Sequence, residues 1–190
     1  VTSSAVTVES GAALSGTGTL GSSVTLNSGG NLSPGDGGSG AVGVLTLNST
    51  FVPKAGSNLN FELGSSSDRI TLGLTGGFTA PSGGTAVINL TAASGFGPGT
   101  YTLIENLGSV AIPPSSFSLG SLPAGYAGTL AANGNSLEIL LRIPGSTTWT
   151  GTSSGSWNDA TNWGGLPPLG GDTLVFGSSA ITALTNNVTG

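Results

Sequence analysis

Residues Leu14–Leu47 read LSGTGTLGSSVTLNSGGNLSPGDGGSGAVGVLTL, and this stretch decides the fold. Its apolar residues stand in short runs that alternate with polar residues, and they do not follow a helical period. Glycine-rich turns separate the runs. Short strands that recur between such turns are typical of the successive rungs of a coiled sheet. The stretch therefore predicts an all-β fold, a β-solenoid.

The same alternation continues through most of the chain. It predicts further strands at Val6–Val8, Asn58–Leu63, Arg69–Leu74, Ala86–Thr91, Thr100–Ile104, Gly128–Ala131 and Ser136–Arg142. Glycine, proline and β-branched residues are too frequent for any amphipathic helix. The segment Ser33–Gly40, with its proline and its Asp-Gly dipeptide, predicts a loop that no strand crosses.

Two domains are expected: a β-solenoid with glycine-rich turns over residues 1–145, and a tryptophan-containing segment over residues 146–190. That segment is interpreted as a cap or as the start of a further repeat module. The longer strands of residues 84–142 leave a β-sandwich as the alternative fold, because such strands can also pair in an antiparallel manner.

The composition excludes several classes of function. Charged residues make up only 6% of the chain, against roughly 25% in ordinary soluble domains. Three cations, Lys54, Arg69 and Arg142, cannot form the basic surface that nucleic acids require. There is no histidine or cysteine, and no apolar run approaches the ~20 residues of a membrane-spanning helix. Weak electrostatic repulsion makes self-association easier.

Acidic residues offer few candidates for chemistry. Glu62 and Asp68 are close in sequence, and glycoside hydrolysis uses two facing carboxylates. However, the alternation places Glu62 on the outer face of a strand, and Asp68 is better explained by a turn or by a pair with Arg69. Asp36 has no second acid nearby, whereas calcium needs six to eight oxygen ligands. We therefore expect a turn aspartate at Asp36, no metal, no cofactor and no enzymatic activity.

Aromatic residues give a candidate binding surface. Trp149, Trp157 and Trp163, together with Tyr101 and Tyr126, could stack against sugar rings, because these side chains favour contact surfaces. The alternative is structural: the three tryptophans fill the core or cap the end of a solenoid whose other core residues are small. Both interpretations stay open at this point.

Three asparagines match the acceptor pattern for N-glycosylation. They are Asn48, Asn89 and Asn187, each followed by threonine two residues later. In a chain so rich in Asn, Ser and Thr, such matches also arise by chance.

The order of several short motifs resembles a known family. The motifs are GAALSGTGTL (Gly11–Leu20), SGGNLSPG (Ser28–Gly35), GVLTL (Gly43–Leu47) and LNFELGSSSDRI (Leu59–Ile70), followed by FGPGTYTLIE (Phe96–Glu105) and a Trp-rich stretch (Thr148–Phe176). In this order they resemble the autotransporter-associated β-strand repeat proteins of bacteria. The resemblance implies a right-handed parallel β-helix, exported to the cell surface or beyond, with no characteristic catalytic residues.

These observations together predict a non-enzymatic extracellular structural protein. It would be the β-solenoid unit of a surface stalk, sheath or filament, and its main partner would be itself. The ends of a coiled sheet expose unpaired backbone groups, and an end-to-end contact that does not close generates a filament. The alternative is an adhesin or glycan-binding passenger domain that contacts cell-surface glycans. A polysaccharide-degrading β-helix enzyme is a third and weaker hypothesis.

Overall fold

A computed structural model describes residues 4–35 and 41–188 of the chain. Its strands are β1 (Val6–Val8), β2 (Ala13–Gly16), β3 (Gly18–Leu20), β4 (Val24–Leu26), β5 (Asn31–Pro34), β6 (Val44–Leu47), β7 (Phe51–Pro53), β8 (Asn58–Leu63), β9 (Arg69–Leu72), β10 (Ala86–Ala92), β11 (Gly99–Asn106), β12 (Phe117–Leu119), β13 (Ala127–Asn133), β14 (Ser136–Arg142), β15 (Ser146–Trp149) and β16 (Thr173–Phe176). Two short 3-10 helices cover Pro114–Ser116 and Ala160–Trp163. Within the described ranges, no helix is long and apolar enough to cross a membrane.

The strands form stacked sheets, which confirms the predicted β-solenoid. Sheet A has the order β1-β4-β7, sheet B the order β12-β10-β8-β5-β2, and sheet C the order β13-β14-β11-β9-β6-β3. Most neighbours are parallel and come from successive rungs. Each of the first three rungs thus contributes one strand to each sheet, and the later rungs extend sheets B and C.

The separation of paired residues varies from rung to rung, but two neighbouring pairs of strands share it. Val24 pairs with Phe51, and Asn31 pairs with Asn58, so the two pairs have the same separation along the chain. The first rung is shorter, since Val6 already pairs with Val24. The turns stack as well: the N–H of Gly29 donates to the carbonyl oxygen of Gly56 at 2.8 Å.

Stacks of like residues fill the core. Leu32, Leu59 and Ile88 are aligned in neighbouring strands of sheet B, and all three are fully buried. Phe51, Phe78 and Phe117 form an aromatic stack with ring centroids 6.4 and 5.8 Å apart. Burial of each such side chain contributes roughly 1.5–3 kcal/mol. Many outward positions between them carry Asn, Ser or Thr, as the alternation predicts, although Val52 and Val87 are also outward.

Two expectations need correction. Strand β5 crosses Ser33 and Pro34, within the segment expected to be a loop. Pro34 is tolerated there because the pairing of β5 with β8 has already ended at Leu32, so the missing N–H removes no bond. The antiparallel pairing that favoured a sandwich in residues 84–142 does occur, between β11 and β14, but in the same sheet as the parallel strands.

The contacts divide the chain into two compact units. The first comprises Val1–Ala124 and Leu130–Leu141, and the second comprises Gly125–Thr129 and Arg142–Gly190. In the second unit β15 pairs with β16 in parallel, with Ser146 opposite Thr173. The separation of these two residues along the chain equals that of Val24 and Phe51 in the first unit. The second unit therefore has the spacing of a solenoid rung.

Candidate functional site

A polar groove of about 390 Å³ lies on the outer face of sheet B. Its polar lining comes from four successive rungs and consists of Ser33, Asn60, Glu62, Asp68, Asn89, Thr91 and Ser121, with Phe61 between them. Five of these residues alternate with buried ones on β5, β8 and β10, whereas Asp68 precedes β9 and Ser121 follows β12. The period-two pattern of the strands turns those five side chains to one face.

A directed chain of hydrogen bonds runs along this groove. The N–H and hydroxyl of Ser121 donate to Oδ1 of Asn89 at 3.0 and 3.2 Å. Nδ2 of Asn89 donates to Oδ1 of Asn60 at 3.0 Å, and Nδ2 of Asn60 donates to Oγ of Ser33 at 3.2 Å. All donors point towards the N-terminal rung, and bonds aligned in this way polarise one another.

This row of hydrogen bonds does not use all the donors and acceptors of its side chains. A side-chain amide has two N–H donors and an oxygen with two lone pairs. Asn60 uses one donor towards Ser33 and one lone pair towards Asn89. Within the described residues, one donor and one lone pair of Asn60 remain available. Among the same described residues, the Ser33 hydroxyl accepts from Asn60 and keeps its own proton to donate.

Asp68 has a structural position beside the groove. It is only 2% exposed. One carboxylate oxygen accepts from the Gly43 N–H at 2.8 Å, and the other accepts from the Glu62 N–H at 2.9 Å. The carboxylate thus joins the start of β6 to β8, and both its oxygens are engaged by backbone. This agrees with the expectation of a turn-stabilising residue.

Two neighbouring residues complete the surroundings of Asp68: Glu62 lies on the outer face of its strand, as expected, and Arg69 has another partner. Arg69 pairs with Glu105, with Nε and Oε2 3.4 Å apart, and not with Asp68. Glu62 occupies an outward register position, yet it is only 8% exposed because it lies in the groove. Among the described residues, no three acids, histidines or cysteines come together as metal ligands. Asp36 lies outside the described residues.

In the second unit, Asp172 forms an ion pair with Arg142. Oδ1 of Asp172 accepts from Nη1 of Arg142 at 2.8 Å, and the N–H groups of Leu169 and Gly145 donate to the same carboxylate at 2.8 and 2.9 Å. Burial by itself raises the pKa of Asp172, but these donors outweigh it and lower the pKa to about 2. Sequence reasoning did not find this pair, since 30 residues separate its members.

The three tryptophans form one aromatic cluster with Phe176. Trp163 lies edge-on to Trp149 and Trp157, with centroids 5.1 and 6.0 Å apart, and Phe176 lies 5.8 Å from Trp163. Trp149 and Trp163 are buried, with 2% and 6% exposure. Trp157 is half-buried and borders a small pocket of about 190 Å³. This packing agrees with the structural alternative, and a glycan contact at the tryptophans stays a prediction.

The two tyrosines have different surroundings. The Tyr101 hydroxyl donates to the Gly97 carbonyl oxygen at 2.8 Å, and its ring stacks on Phe96. Tyr101 belongs to the first unit and Tyr126, half-buried, to the second.

The three glycosylation candidates have different surroundings. Asn48 is exposed in the turn after β6, and Asn187 is exposed but accepts from the Asn158 N–H at 3.0 Å. The amide of Asn89 belongs to the bonded chain in the groove. A glycan there would replace one of its donors. Glycosylation at all three positions stays a prediction.

Sequence reasoning singled out Asn89 only as a glycosylation candidate and missed Asn60. A signal existed, because the asparagines at 31, 58, 60 and 89 recur at the spacing of the rungs. Comparison with known proteins adds no assignment: no protein-family model matches the chain, and a search of curated proteins found no similar one.

Proposed function

We propose that this chain is a non-enzymatic structural protein, an exported β-solenoid of the bacterial autotransporter-associated type. In this proposal it acts outside the cell as a unit of a stalk, sheath or filament. One observation carries it: within the described residues, the strands of the first rung, β1, β2 and β3, each pair on one side only, with β4, β5 and β6. Their other edges are templates for a further rung.

Stacking of rungs within the chain supports growth by further stacking. A solenoid gains stability from each contact between neighbouring rungs, and the same separation between paired residues recurs within both units. A rung supplied by a second copy would make the same hydrogen bonds as a rung within the chain. The low charge adds little repulsion between copies.

The backbone of β2 allows a specific test of this edge. The carbonyl oxygens of Ala12 and Gly16 accept from the N–H groups of Asn31 and Gly35, at 2.9 and 3.1 Å. Alternate residues of a strand face the same neighbour, so the N–H of Ser15 faces the open edge. Ser15→Pro removes that donor and leaves the bonds to β5 intact.

The experiment is electron microscopy and light scattering of the native chain, of Ser15→Pro and of the control Ser15→Ala. We expect filaments with an axial repeat of one subunit from the native chain and from Ser15→Ala. Ser15→Pro should shorten or abolish them, while its circular dichroism stays native. Dispersed single particles of the native chain at high concentration would refute assembly through this edge.

A further inference from the structure

We infer that the groove on sheet B binds a neutral polysaccharide along the solenoid axis. This goes beyond a structural role, because it assigns a ligand to a surface that stacking of rungs does not use. The groove and the hydrogen-bonding groups within it carry the inference.

The chemistry of the lining selects the class of ligand. Hydroxyls and amides from Ser33, Asn60, Asn89, Thr91 and Ser121 surround the groove, and such groups both donate and accept hydrogen bonds. Sugar hydroxyls also do both. The spare donor and lone pair of Asn60, together with the hydroxyl proton of Ser33, are therefore matched by a polyhydroxylated chain.

The charge of the groove excludes acidic ligands. None of the three cations of the chain lines it, whereas Glu62 and Asp68 do. A uronic acid chain or a nucleic acid would bring like charges together without a basic partner. A metal ion is not the ligand we expect either, because two acids, Glu62 and Asp68, line the groove, and among the described residues no three acids, histidines or cysteines come together.

The direction of the groove selects an extended ligand. Its residues come from four neighbouring strands, and parallel strands are spaced by about 4.8 Å, so the polar row is about 14 Å long. This length exceeds one sugar ring. A chain of several sugar units running across the strands would place successive hydroxyls over successive rungs.

The test measures binding of neutral hexasaccharides by isothermal titration calorimetry. The probes are cellohexaose, maltohexaose, mannohexaose and chitohexaose, each with its disaccharide, and hexagalacturonate serves as the acidic comparison. We expect at least one neutral hexasaccharide to bind, and to bind about tenfold or more tightly than its disaccharide. Hexagalacturonate should not bind.

Two matched variants on the same strand locate the site. Asn60→Val removes the spare donor and lone pair and should weaken binding about tenfold or more. Asn58→Val is the control: it is an outward residue of β8 that does not line the groove, and its register partner is already Val87. It gives up a 3.5 Å contact from Nδ2 of Asn89, which keeps its 3.0 Å bond to Asn60. It should bind like the native chain. Should Asn60→Val fail to fold, Thr91→Leu at an exposed position of β10 fills the same groove.

Three results would overturn the inference. The first is no binding of any neutral hexasaccharide at millimolar concentration. The second is equal affinity for hexasaccharide and disaccharide, or tighter binding of hexagalacturonate. The third is unchanged binding in the folded Asn60→Val or Thr91→Leu variant.

Discussion

Replacing Gly30 by alanine tests whether the turns of the first two rungs approach each other as closely as the structure shows. Gly30 lies in the turn before β5 and is buried. A Cβ atom there would lie 2.8 Å from the Val8 carbonyl oxygen, 3.0 Å from that of Asn27 and 3.2 Å from that of Glu9. These are backbone atoms, so they can move only if the turn or the rung moves. We therefore expect Gly30→Ala to destabilise the fold.

The magnitude follows from comparison with a second glycine. Forcing an added methyl group against fixed neighbours lowers the free energy of unfolding by about 1–3 kcal/mol. Alanine also restricts the unfolded chain more than glycine does, which raises the free energy of unfolding by about 0.4–1 kcal/mol. Because the added Cβ meets three backbone oxygens, the upper end of the overpacking range applies, and the net loss in the free energy of unfolding for Gly30→Ala is about 2 kcal/mol. Gly11→Ala is the control, since Gly11 has φ +79° but nothing within 4 Å of the added Cβ. Its left-handed backbone costs roughly 1–2 kcal/mol, a net loss of about 1 kcal/mol.

At Gly29 an added Cβ would meet both a left-handed backbone and a close neighbour, so this position allows the two costs to be separated. It has φ +74°, and an added Cβ would lie 2.6 Å from Oγ of Ser10. Because that contact is a side chain, Ser10→Ala should relieve it. The cost of Gly29→Ala in the Ser10→Ala background should then fall to that of Gly11→Ala, which a double-mutant cycle measures.

The assay is urea unfolding followed by far-ultraviolet circular dichroism for each variant. The expected order of stability is native, then Gly11→Ala, then Gly30→Ala. If Gly30→Ala loses no more free energy of unfolding than Gly11→Ala, then the turns do not approach as closely as the distances indicate, and the reasoning is refuted.

Asp68, Phe78 and Asp172 each allow a further test. Asp68→Asn should cost about 2–3 kcal/mol, since it replaces a buried carboxylate that accepts from two backbone N–H groups; urea unfolding measures this, and a loss below about 0.5 kcal/mol would contradict it. Phe78→Ala should cost about 3–5 kcal/mol, because it empties the middle of the aromatic stack; a melting temperature unchanged from the native value would show that the stack is not formed. Asp172 has a pKa lowered from 3.8 to about 2. Its ionised carboxylate therefore adds to the free energy of unfolding above about pH 4, and this contribution is lost as the pH falls towards 2. Solvent in the pocket beside Asp172 screens the ion pair and limits the contribution to about 1 kcal/mol. Tryptophan fluorescence reports the second unit, and the stability difference between the native chain and Asp172→Asn should shrink below pH 4; a difference that stays constant from pH 6 to pH 2 would contradict the ion pair.

Local features of the structure could be predicted because they depend on short-range physics. The limits of β1, β8 and β14 agree with the sequence prediction, since the alternation of apolar and polar residues places one face of each strand in the core. The prediction of a loop across β5 was wrong because it assumed that Pro34 removes a hydrogen bond between strands. Whether it does depends on which edge of β5 bonds to a neighbour at that position. That edge is defined only when β8 takes its place beside β5.

The candidate site was harder to predict from residues taken one at a time. Asn60 and Asn89 are 29 residues apart, and nothing local relates them. They meet because the rung between them brings β8 and β10 into register. Arg142 likewise finds Asp172 through a turn of the second unit, although Glu138 is the acid nearest to it in sequence.

The sequence by itself determined that this chain is all β, that glycine-rich turns separate short strands, and that its surface is polar but almost uncharged. These properties depend on the pattern of neighbours along the chain, which is present before folding. Tertiary structure alone decided which strands lie side by side, that β11 and β14 pair in an antiparallel manner, and that amides from separate rungs form one hydrogen-bonded row. The reason is that register is a property of the stacked rungs: a shift of one residue would turn every one of those amides to the opposite face.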